Sequence, residues 1–313
     1  MTSTPSLKRP LEEPREISVL ITPPDKRLRK APRTKLQSRS RNLISILTDP
    51  FKFIMMDPGL LGELDPEINL TSSELRSIFR DNNGDLYQGV EFLAKDRNKK
   101  VIACYKGDSY QPIAVVKFVT GDGADEEYKF AIKACELDGC VDVVEHGRIR
   151  DNYYMKMPYI GPSLFNLKPR MKDTARITEI VRHFAQTLKG LGDLNIHHND
   201  MAGRNLLMKD DKLYVIDFEF ATEGGLDDDY KDNKICSPLD STCSRHYAWD
   251  VAEITFLLRY GRYPKTVFDE NQVPMFVWPK KDESDPKLKA FVNKIITDED
   301  MGIEDVLKHD FLQ

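Results

Sequence analysis

The densest run of chemically capable side chains is His198-Asn199-Asp200-Met201-Ala202-Gly203-Arg204-Asn205, followed by the apolar Leu206-Leu207-Met208. A charged turn separates it from Leu213-Tyr214-Val215-Ile216-Asp217-Phe218-Glu219. The apolar residues flanking both runs predict strands whose ends bring Asp200, Asn205 and Asp217 to a cleft. Upstream, Ile113-Ala114-Val115-Val116-Lys117-Phe118-Val119 sets one lysine inside an apolar run. Phosphoryl transfer needs a carboxylate to orient the attacking hydroxyl, oxygen ligands for magnesium, and a cation on the nucleotide phosphates. Asp200 suits the first role, Asn205 and Asp217 the second, and Lys117 the third. An acidic partner for Lys117 is expected on the next helix, with Glu127 the first choice and Glu126 the second. Any one of these residues alone reads as structural or surface; their order along the chain carries the argument.

Positioning them requires a sheet and several helices. Thr71-Ser72-Ser73-Glu74 has the pattern of a capping box and predicts a short helix through Phe79. Strands are expected at Leu86–Phe92, Lys100–Tyr105 and Ile113–Val119, with the turn Lys106-Gly107-Asp108-Ser109 between the last two. A helical pattern covers Glu126–Leu137, and a Tyr/Met-rich strand follows at Tyr153–Met157. Ile177, Ile180, Val181, Phe184, Leu188 and Leu191 then recur at helical spacing, and later helices centre on Val251–Leu258 and Leu288–Ile296. Strands first and helices after predict an α+β chain with a small N-terminal β-rich lobe and a larger helical C-terminal lobe.

With these pieces in order, the His198–Asn205 run resembles the HRDxxxxN catalytic loop of eukaryotic-type protein kinases, and Asp217-Phe218-Glu219 resembles their DFG motif. Ala114-Val115-Val116-Lys117 is similar to the family's VAIK strand, and Met157-Pro158-Tyr159-Ile160 to the hinge that grips adenine. Leu258–Pro264 resembles the "LLTGRYPF" stretch, and Leu288–His309 the terminal helices, so the likeness runs from about residue 80 to 313. The resemblance implies a two-lobed protein-kinase-like fold, ATP and Mg²⁺ as cofactors, and transfer of the γ-phosphoryl group to a hydroxyl of a protein substrate. It assigns Asp200 and Lys117 to catalysis and Lys117, Glu127, Met157 and Tyr159 to the nucleotide, with Asn205 and Asp217 on the metal. Arg204 matches the "HRDLAARN" loop of tyrosine kinases and joins the catalytic set; Ala202 stands where serine/threonine kinases carry lysine.

The chain also departs from the family. No Gly-x-Gly-x-x-Gly run precedes Lys117, and Val115 stands where a small alanine usually faces adenine. Asn199 replaces the arginine that pairs with a phosphorylated activation loop, and Glu219 replaces the DFG glycine. Cys236-Ser237-Pro238-Leu239 lies where APE is expected, so Leu239 lacks the carboxylate, and Asp300 stands where its arginine partner would align. Joint loss is the tolerable route, because one partner alone leaves a buried charge unpaired. Two readings besides an active protein kinase stay open: a pseudokinase acting as a binding module, and a small-molecule kinase of choline-kinase or aminoglycoside-phosphotransferase type, whose motifs HND and DFE recur here.

Composition bounds the rest. The chain has 313 residues, 40% of them hydrophobic, enough to bury a sizeable core. A net charge of −5 argues against direct nucleic-acid binding by the folded part. No apolar stretch approaches the roughly 18 residues of a membrane span, and there is no signal-peptide pattern. Five cysteines without a CxxC pair fit free thiols in a reducing compartment. Residues 1–45 are rich in Pro, Ser, Thr, Lys and Arg and read as a disordered basic tail. Its cluster Lys26-Arg27-Leu28-Arg29-Lys30 is a candidate site for a nuclear import receptor. The expectation is an intracellular protein, nuclear before cytoplasmic, with an N-terminal lobe and extension over 46–158 and a C-terminal lobe over 159–313.

Overall fold

A computed structural model describes residues 58–61, 68–96, 98–107, 111–121, 123–224, 243–280 and 285–313. The basic tail with Lys26–Lys30, and the Cys236–Leu239 stretch, lie outside the described residues. The first long element, α1 (Ser72–Ile78), opens as its sequence predicts. The Thr71 side chain accepts from the Glu74 N–H, and the Glu74 carboxylate accepts from the Thr71 N–H at 2.6 Å.

Five strands follow: β1 (Gly89–Lys95), β2 (Lys99–Tyr105), β3 (Ala114–Val119), β4 (Glu145–Ile149) and β5 (Asn152–Pro158), with α2 (Ala124–Ala134) between β3 and β4. They form one sheet in the order β1-β2-β3-β5-β4, each neighbouring pair antiparallel. β1 begins three residues later than the apolar run at Leu86 suggests. Leu86 forms a bridge with Arg80 and the Tyr87 N–H donates to the Phe79 carbonyl, so that run ties down the end of α1 instead. Strand β4 escapes sequence reading because its side chains alternate between half-buried and exposed without an apolar face.

Period-two alternation gives the sheet two different faces. Ile102, Cys104, Val116 and Phe118 pack with Leu61, Ile68, Leu75, Ile78 and Phe79, so the N-terminal extension seals one face. Buried Lys156 of β5 sits on this face and donates to the Arg80 carbonyl at 2.6 Å and to Glu145, fastening the extension to the strand. On the other face, Val119 and Met155 pack with Ala124 of α2, and Lys117 lies opposite Met155 in the register. Burial on both faces accounts for the nearly continuous apolar reading of β2 and β3.

The second lobe is helical. α3 (Leu164–Leu167) precedes α4 (Thr174–Asp193), whose cap Asp173 accepts from the Ala175 and Arg176 N–H groups. Ile177, Ile180, Val181, Phe184, Leu188 and Leu191 are all fully buried, as their spacing predicts. Then come β6 (Ile196–His197), a 3₁₀ turn at Gly203–Asn205, β7 (Leu206–Lys209), β8 (Lys212–Val215) and β9 (Thr222–Glu223). α5 (Cys243–Tyr260), the hairpin β10 (Thr266–Phe268) and β11 (Pro274–Phe276), α6 (Pro286–Thr297) and α7 (Ile303–Lys308) complete it. α4, α5 and α6 share one apolar core, which includes Phe184, Trp249, Val251, Phe256, Phe291 and Val292. Among the described residues, no helix is long and apolar enough to cross a membrane.

Candidate active site

Hairpin β7–β8 sets the floor of the site. Leu206 pairs with Val215, and the Ile216 N–H donates to the Asn205 carbonyl at 3.0 Å, so Asn205 and Asp217 leave one hairpin from adjacent ends. Apolar Leu206, Leu213 and Val215 bury the hairpin in the lobe and fix those ends. Asp217 has φ +69° and Asn199 has φ +59°, a left-handed conformation uncommon outside glycine but tolerated best by Asn and Asp.

Asp200 is buried between two donors. Arg204 Nη2 lies 2.7 and 2.6 Å from its two carboxylate oxygens, and Asn205 Nδ2 donates to Oδ2 at 2.8 Å and to the Asp200 carbonyl at 2.9 Å. The Arg204 side chain is 62% exposed, so it closes the site from the solvent side. His198 is fully buried; Nε2 donates to the Ile216 carbonyl at 3.0 Å, which leaves Nδ1 to accept from the Asp200 N–H at 3.3 Å. The Phe218 ring stands edge-on to His198 at 4.9 Å, locking the Asp217 turn against the loop that holds Asp200. Two tyrosines from far along the chain brace that loop. Tyr247 donates to the Ile196 carbonyl at 2.6 Å and accepts from the His198 N–H, while Tyr263 accepts from the Gly203 N–H.

From the sheet, Lys117 is directed at the same point. Its ammonium bridges Glu127 of α2 and Asp217 Oδ1, the latter at 2.7 Å. Lys117 and Glu127 are almost fully buried. Burial lifts the Glu127 carboxyl above the usual carboxylate range, against the pull of Lys117. Glu126, the second choice, has no part in this pair. A second ammonium, that of Lys99, reaches Asp217 Oδ2 at 3.0 Å and Glu219 Oε2 at 2.7 Å. Burial opposes ionisation of Asp217, but Lys117 and Lys99 together outweigh it and hold the carboxyl down to about 2. The same carboxylates hold the Lys99 ammonium above its ordinary range despite its own burial.

Lys99 is the residue that sequence reading missed. Val101 registers with Lys117, so alternation puts Lys99, two residues earlier, on the same face. Lys100 points the other way and bonds the Asp96 carbonyl. Without that register the Lys99-Lys100 pair offers no choice between them.

The hinge residues divide. Met157 lies opposite Val115 in the sheet, beside the face that bears Lys117. The Tyr159 N–H is already given to the Ile113 carbonyl at 3.1 Å, whereas the Ile160 N–H has no partner among the described residues. Ile160 therefore supplies an open backbone donor in this segment, which extended pairing beyond Pro158 conceals in the sequence.

The donor set suits a magnesium–nucleotide complex. Asn205 commits its amide nitrogen to Asp200, which leaves its carbonyl oxygen, and Asp217 adds an ionised carboxylate. Mg²⁺ in such sites takes one or two protein oxygens and completes its shell with phosphate and water. Among the described residues no cluster of three or more His, Cys, Asp or Glu forms an all-protein cage.

No protein-family model matches the chain, and no curated protein sequence does. Among solved structures, the chain is similar to the Cydia pomonella granulovirus kinase PK-1, with a TM-score of 0.56 and 18% sequence identity. The match covers 72% of this chain and 95% of that one. The five-stranded sheet, the helical second lobe and this likeness together give the chain a kinase-like, two-lobed α+β fold.

Proposed function

We propose that this chain is an ATP- and Mg²⁺-dependent phosphotransferase whose acceptor is a hydroxyl group on a protein. The observation that carries this reading is the continuous chain Glu127–Lys117–Asp217, with Phe218 packed on His198. That chain ties a sheet lysine, a helix carboxylate and the loop of Asp200 into one constellation, and function is argued from such sites.

In this reading Lys117 takes the nucleotide phosphates, oriented by Glu127. Asp217 and the Asn205 carbonyl oxygen hold Mg²⁺, which supplies charge neutralisation on the transferring group. Asp200 orients the acceptor hydroxyl and takes its proton as the new O–P bond forms and the bond to ADP breaks. Arg204, itself mostly exposed, offsets charge at buried Asp200 from the side open to solvent. Ile160 and Met157 face the adenine edge of the cleft.

One observation favours a binding module without turnover. The turn between β1 and β2 spends its Asp96 N–H on the Lys99 carbonyl at 2.8 Å, so that donor is not available to a phosphate. The experiment measures ATP turnover on protein acceptors and on small alcohols, beside ATP affinity with and without Mg²⁺. Asp200→Ala should cut turnover by roughly 10²–10⁴ while ATP still binds. Asp217→Asn should abolish the Mg²⁺-dependent part of binding. Transfer to small alcohols alone would move the acceptor class. Nucleotide binding without any transfer would establish the module.

A further inference from the structure

We propose that Lys99 is a second ligand for the nucleotide phosphates, one that rests on Asp217 and Glu219 until nucleotide arrives and then turns to the polyphosphate. This deepens the phosphotransfer reading and rests on it. Three features of the cleft lead to it.

The first is placement. Lys99 stands at the first position of β2, on the face that bears Lys117, and both ammonium groups converge on Asp217. Two cations therefore meet three carboxylates, Glu127, Asp217 and Glu219, at one end of the cleft. A polyphosphate entering there meets cations already gathered and partly desolvated, where charge-assisted bonds are strongest.

The second is an asymmetry in how tightly the two lysines are held. Lys117 is enclosed with Glu127, side-chain exposures 7% and 2%, and has nowhere else to go. Lys99 is 18% exposed, and its partner Glu219 is 46% exposed, so that contact is cheap to leave. Lys99 is thus the group able to release Asp217 when a hard cation needs that carboxylate.

The third is what the β1–β2 turn does not offer. Its Asp96 N–H is spent on the Lys99 carbonyl at 2.8 Å, so that N–H is not available to a phosphate. A side-chain cation from the same hairpin takes over that role. Glu219 is its counterpart: the acidic residue after Phe218 provides the resting place for the lysine.

The test measures ADP and ATP affinity of the full chain by calorimetry, in EDTA and in Mg²⁺, for wild type, Lys99→Met, Lys99→Gln, Glu219→Gln and the Lys99→Met/Glu219→Gln double variant. Unliganded melting temperatures of all variants show that the fold persists, and Lys99→Gln stands in should Lys99→Met not fold. Loss of Lys99 should weaken nucleotide binding in EDTA roughly tenfold or more. It should also widen the gap between EDTA and Mg²⁺, because Asp217 loses a competitor for the metal. Glu219→Gln should tighten binding in EDTA when Lys99 is present and have no effect when it is absent. Affinities of the Lys99 variants within twofold of wild type would overturn the proposal. So would a Glu219→Gln effect of equal size in both backgrounds, which marks a mere field effect. If wild type itself binds no nucleotide, the phosphotransfer reading falls and takes this one with it.

Discussion

Arg245 shows what a single residue can replace. Leu239 and Asp300 lack the charges that would form an ion pair between the segment before α5 and the last helices, and Asp300 is exposed in the structure. In its place, buried Arg245 at the start of α5 donates to the Ile295 carbonyl at 2.6 Å and to the Ile296 carbonyl at 3.3 Å. These are end carbonyls of α6, which have no partner within the helix and favour a cation. Arg245→Met should cost about 2 kcal/mol or more, since buried unsatisfied carbonyls cost about 1–3 kcal/mol. Urea denaturation measures it, and a loss below about 0.5 kcal/mol would mean that solvent serves the carbonyls equally well. Residue by residue, the site was legible where chemistry is written in linear order: Lys117, Glu127, Asp200, Asn205 and Asp217. It was illegible where a contact depends on register or distant packing. Lys99 needs the β2–β3 register, and Tyr247 and Tyr263 reach the loop from about 50 and 60 residues away.

At the scale of one element, α5 carries two titrating groups of opposite effect. Burial, then His197 and Arg245, lowers His246 to about 4. The unfolded chain then binds more protons between that value and 6.5, so this contribution is complete above pH 6.5 and is lost as pH falls towards 4. Burial raises Glu253 to about 7, with the nearby Trp249 indole opposing it. A carboxyl kept neutral in the fold contributes fully below pH 4.5 and loses that contribution as pH rises through 7. Glu253→Gln mimics the neutral form, so it should raise the melting temperature at pH 8 by a few degrees and lose that advantage by pH 4.5. Thermal melts across this range decide it, and a constant offset at all pH values would mean that Glu253 does not titrate there. Helix α5 itself was readable from its apolar spacing; the half-burial of His246 and Glu253 was not, because neither lies on a pattern that distinguishes core from surface.

For the whole molecule, the N-terminal extension completes the small lobe. Phe79 is fully buried and packs its ring 6.1 Å from that of Phe118 in the central strand. Removing it leaves a cavity between α1 and the sheet, so Phe79→Ala should cost about 3–5 kcal/mol. Denaturant midpoints test this, and a loss under about 1 kcal/mol would show that the sheet stands without its cover. The capping box announced α1 and the strand-then-helix order announced two lobes, whereas the use of α1 as a lid on the sheet follows only from the three-dimensional packing.

The Asn199 contacts set how the molecule responds to its medium. Asn199 Nδ2 donates to the Phe220 carbonyl at 2.9 Å and to Thr222 Oγ1 at 3.0 Å, pinning the chain just after Glu219. Both bonds join uncharged groups, so dissolved ions do not screen them. The Lys99–Glu219 contact beside them is a partly exposed ion pair and weakens as the Debye length contracts from about 10 Å at 0.1 M salt to about 3 Å at 1 M. Ionic strength therefore acts on one side of this corner only: the peptide stays fastened by its neutral clamp while the grip of Glu219 on the lysine above it loosens.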